Sequence, residues 1–354
     1  MKYYIGLDVS LATTAICAVA EDGAIIREGV AASDPDEIAN WLEQLGVAFE
    51  RVGLETGSTA TWLYSGLRER GLPAVCIDPR RLRAVTKTMP IKNDRNDARA
   101  IAHCMRVGWY SVVHVKSEVS QVVRMLLTNR RTLQIKQIDI ENEIRGTLRV
   151  FGIKLTGRVT AGPFEARVLE LIAEAPHLEA MVRPMLVARA ALRQQCAVLH
   201  KMILEKVRKS ATCRRLMTIP GVGALTAVTF LTTIDDPDRF HRSRDVGAHL
   251  GLTPKKYASG ETDRNGGISK CGDAAMRAVL YQSALALLTR SKKYSSIRVW
   301  GLGIAKRRGL RRAVIAVARK LAVLMHRIWA DGTEYRWQRE AAVDAERLQP
   351  ELLS

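Results

Sequence analysis

A chain of 354 residues, 47% of them apolar, is long enough for two domains with real cores. Its formal net charge of +19 suits a polyanionic partner, because each Lys or Arg set against a phosphate releases a counterion. Aromatic residues, at 5%, argue against a base-stacking platform as the main binding device. The six cysteines, Cys17, Cys76, Cys104, Cys196, Cys213 and Cys271, form no CxxC pair and have no His cluster beside them. That argues against a zinc site or a disulfide framework. The start, MKYYIGLDVS, reaches a charged residue too early for a secretory signal, and no stretch approaches the ~18 apolar residues of a membrane span. A soluble, cytoplasmic protein acting on the nucleoid, with no membrane partner, is expected.

In chain order, residues 3–9 read as a strand. Residues 13–20 and 24–30 read as two more, joined by Glu21-Asp22-Gly23, a strong hairpin signal between apolar runs. A helix is expected over 35–46 behind a Ser33 or Asp34 cap. A short strand, 50–55, follows, then a helix over 59–70 stopped by Gly71, a strand over 73–78 and a helix from Asp94 to about Val107. Three strands and then alternating helix and strand fit a mixed α/β sheet covered by helices, with active residues at strand ends. From 117 to 150, Val119, Val122, Val123, Leu126, Leu127, Leu133, Ile138, Ile144 and Leu148 recur at helical spacing. Residues 165–209 are similar, with breaks expected near Pro176 and Pro184. These long helices suit an antiparallel coiled-coil arm or a dimerisation surface, or else an ordinary bundle packed on the domain; spacing does not choose. A second compact unit starts near 212. The domains are therefore drawn as 1–115 (carboxylate domain), 116–211 (helical arm), 212–330 (second, mainly helical domain) and 331–354 (polar tail, expected to fray).

Asp8 ends an apolar strand in IGLDVS and Glu55 ends another in VGLETGS. Acidic groups at core strand ends are expensive unless a cation meets them. Asp94 and Asp97, in KNDRNDARAIA, share one helix face at i, i+3 spacing. Singly, each could be a turn former or a helix-dipole residue. Together they could hold two Mg2+ ions, with Mn2+ as the alternative, for phosphoryl transfer.

The segment 247–281 concentrates other features. Ser259-Gly260 follows Lys255, Lys256 and Tyr257. Gly266-Gly267 allows close backbone approach to a phosphate, and Ser269, Lys270 and the helix start behind them offer donors to an anion. A serine in such a loop is by itself most often a turn residue, and no activating base stands nearby in sequence. Residues 218–227, TIPGVGALTA, resemble half of a helix-hairpin-helix or are a tight helix connection. Residues 305–328 carry Lys306, Arg307, Arg308, Arg311, Arg312, Arg319, Lys320 and Arg327 without an acid, and an apolar face through Val314, Ile315, Val317, Leu321 and Leu324. They read as one amphipathic basic helix facing a phosphate backbone, with a membrane surface as the rival. Arg80, Arg81, Arg83 and Lys87 form a second basic cluster.

IGLDVS, GLETGS and KNDRNDARAIA resemble the DEDD domain of a bacterial insertion-sequence transposase group related to the Holliday-junction resolvase RuvC. GLTPKKYASG and GGISKCGDAAMR resemble the C-terminal serine domain of the same group. The resemblance implies a ribonuclease-H-like fold for the first domain, with Asp8, Glu55, Asp94 and Asp97 as the metal ligands. It implies that Ser259 is the nucleophile on a DNA phosphodiester, leaving a covalent phosphoserine link. It further implies an active site shared between subunits of a dimer or tetramer. A structured noncoding RNA would guide the choice of element-end and target DNA. The rival expectations are a junction-resolving nuclease using a metal-activated water, and a non-catalytic nucleic-acid-binding protein.

Overall fold

The computed structural model describes residues 1–87, 91–155, 163–292 and 294–336. It divides into two units, Met1–Lys116 and Ser117–Ser354. The expected tail lies outside the described residues from 337 onward.

The first unit is built on a five-stranded sheet of order β3-β2-β1-β4-β5. β1 (Tyr3–Val9), β2 (Thr13–Ala20) and β3 (Ile25–Ala32) form an antiparallel meander. Asp22 accepts from the Ala24 N–H in the expected turn between β2 and β3. α1 (Pro35–Glu43) starts under an Asp34 cap, whose carboxylate accepts from the Asp36 and Glu37 N–H groups. β4 (Phe49–Glu55), α2 (Ala60–Glu69) and β5 (Ala74–Ile77) then add two parallel strands beside β1. α3 (Pro79–Thr86) was not expected; it carries Arg80, Arg81 and Arg83 of the second basic cluster, with Lys87 just after it and Arg80 ion-paired to Asp78. α4 (Asp94–Val107) runs from an Asn93 cap to a left-handed Gly108.

Strand alternation sends side chains to two cores. Ile5, Leu7, Val52 and Leu54 meet Ile38 and Leu42 of α1 and Leu63 and Leu67 of α2. On the other face Tyr4, Ala15, Cys17 and Val19 meet Ala98, Ile101 and Met105 of α4. Cys17 and Cys76 are buried free thiols, as their apolar surroundings suggest.

The second unit opens with α5 (Glu118–Val150), α6 (Phe164–Leu171) and α7 (Pro176–Lys209). α5 and α7 pack together, with the contacts Arg189–Glu141 and Cys196–Arg130 setting them antiparallel. Pro184 does not break α7, contrary to the sequence expectation. It leaves the Ala180 carbonyl without its helical donor, but Leu178, Val182 and Leu186 hold the segment against Ile144, Leu148, Phe164 and Val168. α8 (Ala211–Met217), α9 (Ala224–Ile234), a short 3-10 turn and α10 (Asp245–His249) follow. Next comes a two-stranded hairpin, β6 (Pro254–Ser259) and β7 (Thr262–Ile268), where only a Gly-rich stretch was expected. α11 (Ala274–Thr289), α12 (Ser296–Arg308) and α13 (Leu310–Asp331) complete the unit. The expected single basic helix over 305–328 is thus two helices, separated at Gly309 with φ 81°. Val314, Val317, Leu321 and Met325 of α13 are buried in the core of this unit. No helix among the described residues is long and apolar enough to cross a membrane.

Candidate active site

β1 and β4 are parallel neighbours with Leu7 paired to Leu54 and Gly6 to Gly53. The residues after the leucine pair are Asp8 and Glu55, so both carboxylates leave the C-terminal ends of adjacent strands towards the α4 face. α4 can lie close there because position 6 is glycine: a Cβ would stand 2.1 Å from the Ala98 carbonyl oxygen. The first turn of α4, with Asp94 and Asp97, is thereby held over the strand ends.

The charges reach across the strand ends: Asp97 and Asp94 act on Asp8, and Asp8 and Asp97 act on Glu55. Burial, then the charges of Asp97 and Asp94, push Asp8 up to about 6, with Lys92 opposing. Burial and the Asp8 charge raise Glu55, while Arg83 and Lys92 pull it down. Asp8, Glu55 and Asp97 are half-buried and Asp94 is exposed. Among the described residues, no three His, Cys, Asp or Glu side chains converge tightly enough to hold a metal ion as they stand. Hard carboxylate oxygens that repel one another are nevertheless the donor set that suits Mg2+ or Mn2+. A divalent cation would offset both the burial and the neighbouring charges that raise Asp8, so the residues fit the ion in chemistry.

A residue that sequence reasoning passed over orients this helix. Glu28 of β3 accepts from Arg95 Nε at 2.8 Å and Arg99 Nη2 at 2.8 Å, and its side chain is only 12% exposed. The Arg99 hydrogen bond first, and Arg95 with it, hold Glu28 down at about 2. Arg95 lies between Asp94 and Asp97, so the clamp ties the carboxylate-bearing turn to the sheet. The available signal was a lone acid in the apolar-rich run IIREGVAA.

In the second unit Ser259 is the last residue of β6, exposed, at the tip of the hairpin. The loop is the pair Gly260-Glu261, with Gly260 at φ 55°, as a turn with glycine first requires. Tyr257, two residues back, is on the same strand face and 58% exposed. Lys256 is on the opposite face, 3.2 Å from Asp263. Lys255 is exposed on β6. Ser269 Oγ accepts from the Cys271 N–H at 3.5 Å, and Lys270 takes a left-handed conformation with φ 58°. Asp273 caps α11 and is paired to Arg124 of α5 at 2.7 Å, which fixes the exit of the hairpin. Arg307 and Arg308 end α12, Arg311 and Arg312 begin α13, and all four are exposed. The turn between α8 and α9 leaves the first N–H groups of α9 without a side-chain cap.

Residues 5–152 match a transposase family model of the DEDD type, and residues 213–300 match the model described as Transposase IS116/IS110/IS902 family. The first match takes in all four carboxylates, and the second takes in the Ser259 hairpin. The chain is 31% identical to the transposase for insertion sequence element IS1111A of Coxiella burnetii, over 92% of this chain and 88% of that protein. The chain belongs to the IS110/IS116/IS902 family of transposases. A transposase for insertion sequence element IS1328 of Yersinia enterocolitica is 28% identical over 80% of this chain and 85% of its own length. A probable family 20 transposase of Pseudomonas aeruginosa is similar to the same extent, at 28% over 80% and 85%. Membership in this transposase family makes the chain a DNA-binding enzyme of DNA cleavage and rejoining.

Proposed function

We propose that this transposase moves an insertion sequence by serine attack on DNA phosphodiesters, assisted by divalent metal held on Asp8, Glu55, Asp94 and Asp97. The observation that carries the metal half is the placement of Asp8 and Glu55 at the ends of adjacent parallel strands beneath the first turn of α4, where burial first, and then the charges of Asp97 and Asp94, lift Asp8 to about 6. The first unit is then a ribonuclease-H-like domain, in keeping with its three antiparallel and two parallel strands. Bound Mg2+ supplies a lowered pKa for the attacking hydroxyl and charge neutralisation at the leaving oxygen.

Ser259 acts as the nucleophile. Its hydroxyl proton passes to solvent and an Oγ–P bond forms. The bond from phosphorus to one deoxyribose oxygen breaks, and that oxygen leaves protonated. The phosphoserine ester conserves the bond energy, so a DNA hydroxyl can reverse the step and rejoin strands without an external cofactor. The exposure of Ser259 at a hairpin tip supports access by a DNA strand. In this reading carboxylates and serine come from different subunits of a homo-oligomer, and a structured noncoding RNA selects the DNA; both rest on the family resemblance.

The test is cleavage of element-end DNA, with and without Mg2+ and with and without RNA transcribed from the flanks of the gene. Wild type should cut only with metal, and Asp8→Asn should bind DNA without cutting. Full cleavage by Asp8→Asn would remove the metal site. Cleavage that is indifferent to RNA would remove the guide.

A further inference from the structure

The hairpin sorts its side chains by face, and one cation that sequence reasoning did not single out falls on the serine's face. In antiparallel strands, directly opposed residues point to the same side. The register pairs Ser259 with Thr262, Tyr257 with Arg264, and Lys256 with Asn265. Tyr257, Ser259 and Arg264 therefore share one face. The contacts agree: a Cβ at Gly266, diagonal to Tyr257, would meet the Tyr257 ring at 3.1 Å. The Lys256–Asp263 ion pair closes on the other face.

The two faces differ in what their cations can do. Lys256 already has a carboxylate partner. Arg264 is exposed and makes no hydrogen bond or ion pair among the described residues. Diagonal neighbours on one face lie roughly 7–8 Å apart, a span that an arginine side chain and a bound phosphate group together bridge. A guanidinium offers a planar fork of donors that fits two oxygens of a phosphate, which an ammonium cannot do.

We propose that Arg264 is a catalytic residue, holding the non-bridging oxygens of the phosphodiester that Ser259 attacks and neutralising charge that grows there in the transition state. Tyr257 flanks the same phosphate. This proposal rests on Ser259 being the nucleophile.

The experiment measures the rate of covalent protein–DNA adduct formation by the full-length protein, with its flank-derived RNA, on a duplex carrying the element end. Arg264→Ala, Arg264→Lys and Ser259→Ala are compared on a natural scissile phosphate and on one carrying a single methylphosphonate, which removes the non-bridging charge. Arg264→Ala should slow adduct formation about 100-fold on the natural substrate at saturating DNA. On the methylphosphonate its deficit should shrink to within about fivefold of wild type, since the neutralised oxygen no longer needs the cation. Arg264→Lys should fall between. An equal deficit on both substrates, or wild-type rates for Arg264→Ala, would overturn the role of Arg264. If only Ser259→Ala is inactive, the nucleophile stands and Arg264 falls. If Ser259→Ala still forms adduct, the nucleophile falls and the proposal for Arg264 falls with it.

Discussion

Gly6 of β1 lies against the backbone of Ala98 on α4, so close that a Cβ at position 6 would stand 2.1 Å from the Ala98 carbonyl oxygen and 2.4 Å from the Ala102 nitrogen. Both obstacles are main chain, so no rotamer change relieves them. Gly6→Ala should therefore lift α4 from the sheet and cost about 2–3 kcal/mol. Urea unfolding measures the loss, and metal-dependent cleavage should fall with it because Asp94 and Asp97 move away from Asp8. An unchanged unfolding midpoint would show that the close approach is not needed.

The ionisation of Asp8 gives a pH test. Its folded pKa, about 6, lies above the ordinary 3.8. The neutral acid is favoured in the fold, so this contribution to stability is complete below about pH 4 and lost as pH rises through 6. In metal-free protein, Asp8→Asn should be nearly neutral at pH 4 and stabilising at pH 8, by about 1–2 kcal/mol after solvent screening. Mg2+ should raise the Tm of wild type at pH 8 and leave the variant unmoved. Equal effects at both pH values would contradict the crowded-carboxylate picture.

Glu28 has the opposite sign. Its carboxylate, held down at about 2 by Arg99 and Arg95, contributes stability above its ordinary pKa that fades as pH falls from about 5 towards 2. Glu28→Gln should cost about 1–2 kcal/mol at pH 7, and the difference from wild type should close by about pH 2–3. Thermal unfolding across pH checks both statements. The same variant should weaken Mn2+ binding measured by electron paramagnetic resonance, since the turn bearing Asp94 and Asp97 loses its anchor.

Arg189 is 1% exposed, with its Nε 2.8 Å from Glu141 and its guanidinium over Phe164 at 4.6 Å. Removing Arg189 takes from Glu141 its nearest cation and leaves it the Gln137 amide at 3.1 Å and Arg145 at 3.9 Å. Arg189→Ala should destabilise the α5–α7 pair by about 3–5 kcal/mol, read as a lower urea midpoint. A change below about 0.5 kcal/mol, the level of a surface site, would mean that Phe164 and its apolar neighbours suffice alone.

The first unit was legible because its strands are buried and its turns carry strong local signals. The Asp22-Gly23 turn, the Asp34 cap and the apolar runs of β1, β2 and β4 each point to the structure found. Asp8 and Glu55 stood out as acids ending such runs, and Asp94 and Asp97 as an i, i+3 pair. The clamp from Glu28 was not legible, because the partners lie 67 and 71 positions away in sequence.

The hairpin carrying Ser259 was missed for a different reason. Every residue of β6 is exposed, so neither face is apolar and no alternation marks it. Pro184 misled because its local cost is real but tertiary packing outweighs it. Gly309 gave the reverse error: apolar spacing continues across 305–328, yet the backbone turns at φ 81° and divides the basic segment between two helices.

Whether this transposase cuts DNA through Ser259 is read by denaturing the protein after reaction with labelled element-end DNA and mapping any attached nucleotide by mass spectrometry. A covalent adduct is expected on the Ser259 peptide, absent from Ser259→Ala, which still binds the DNA. Strand cleavage by wild type with no covalent adduct, or an adduct that survives in Ser259→Ala, would contradict cutting through Ser259 and favour a metal-activated water instead.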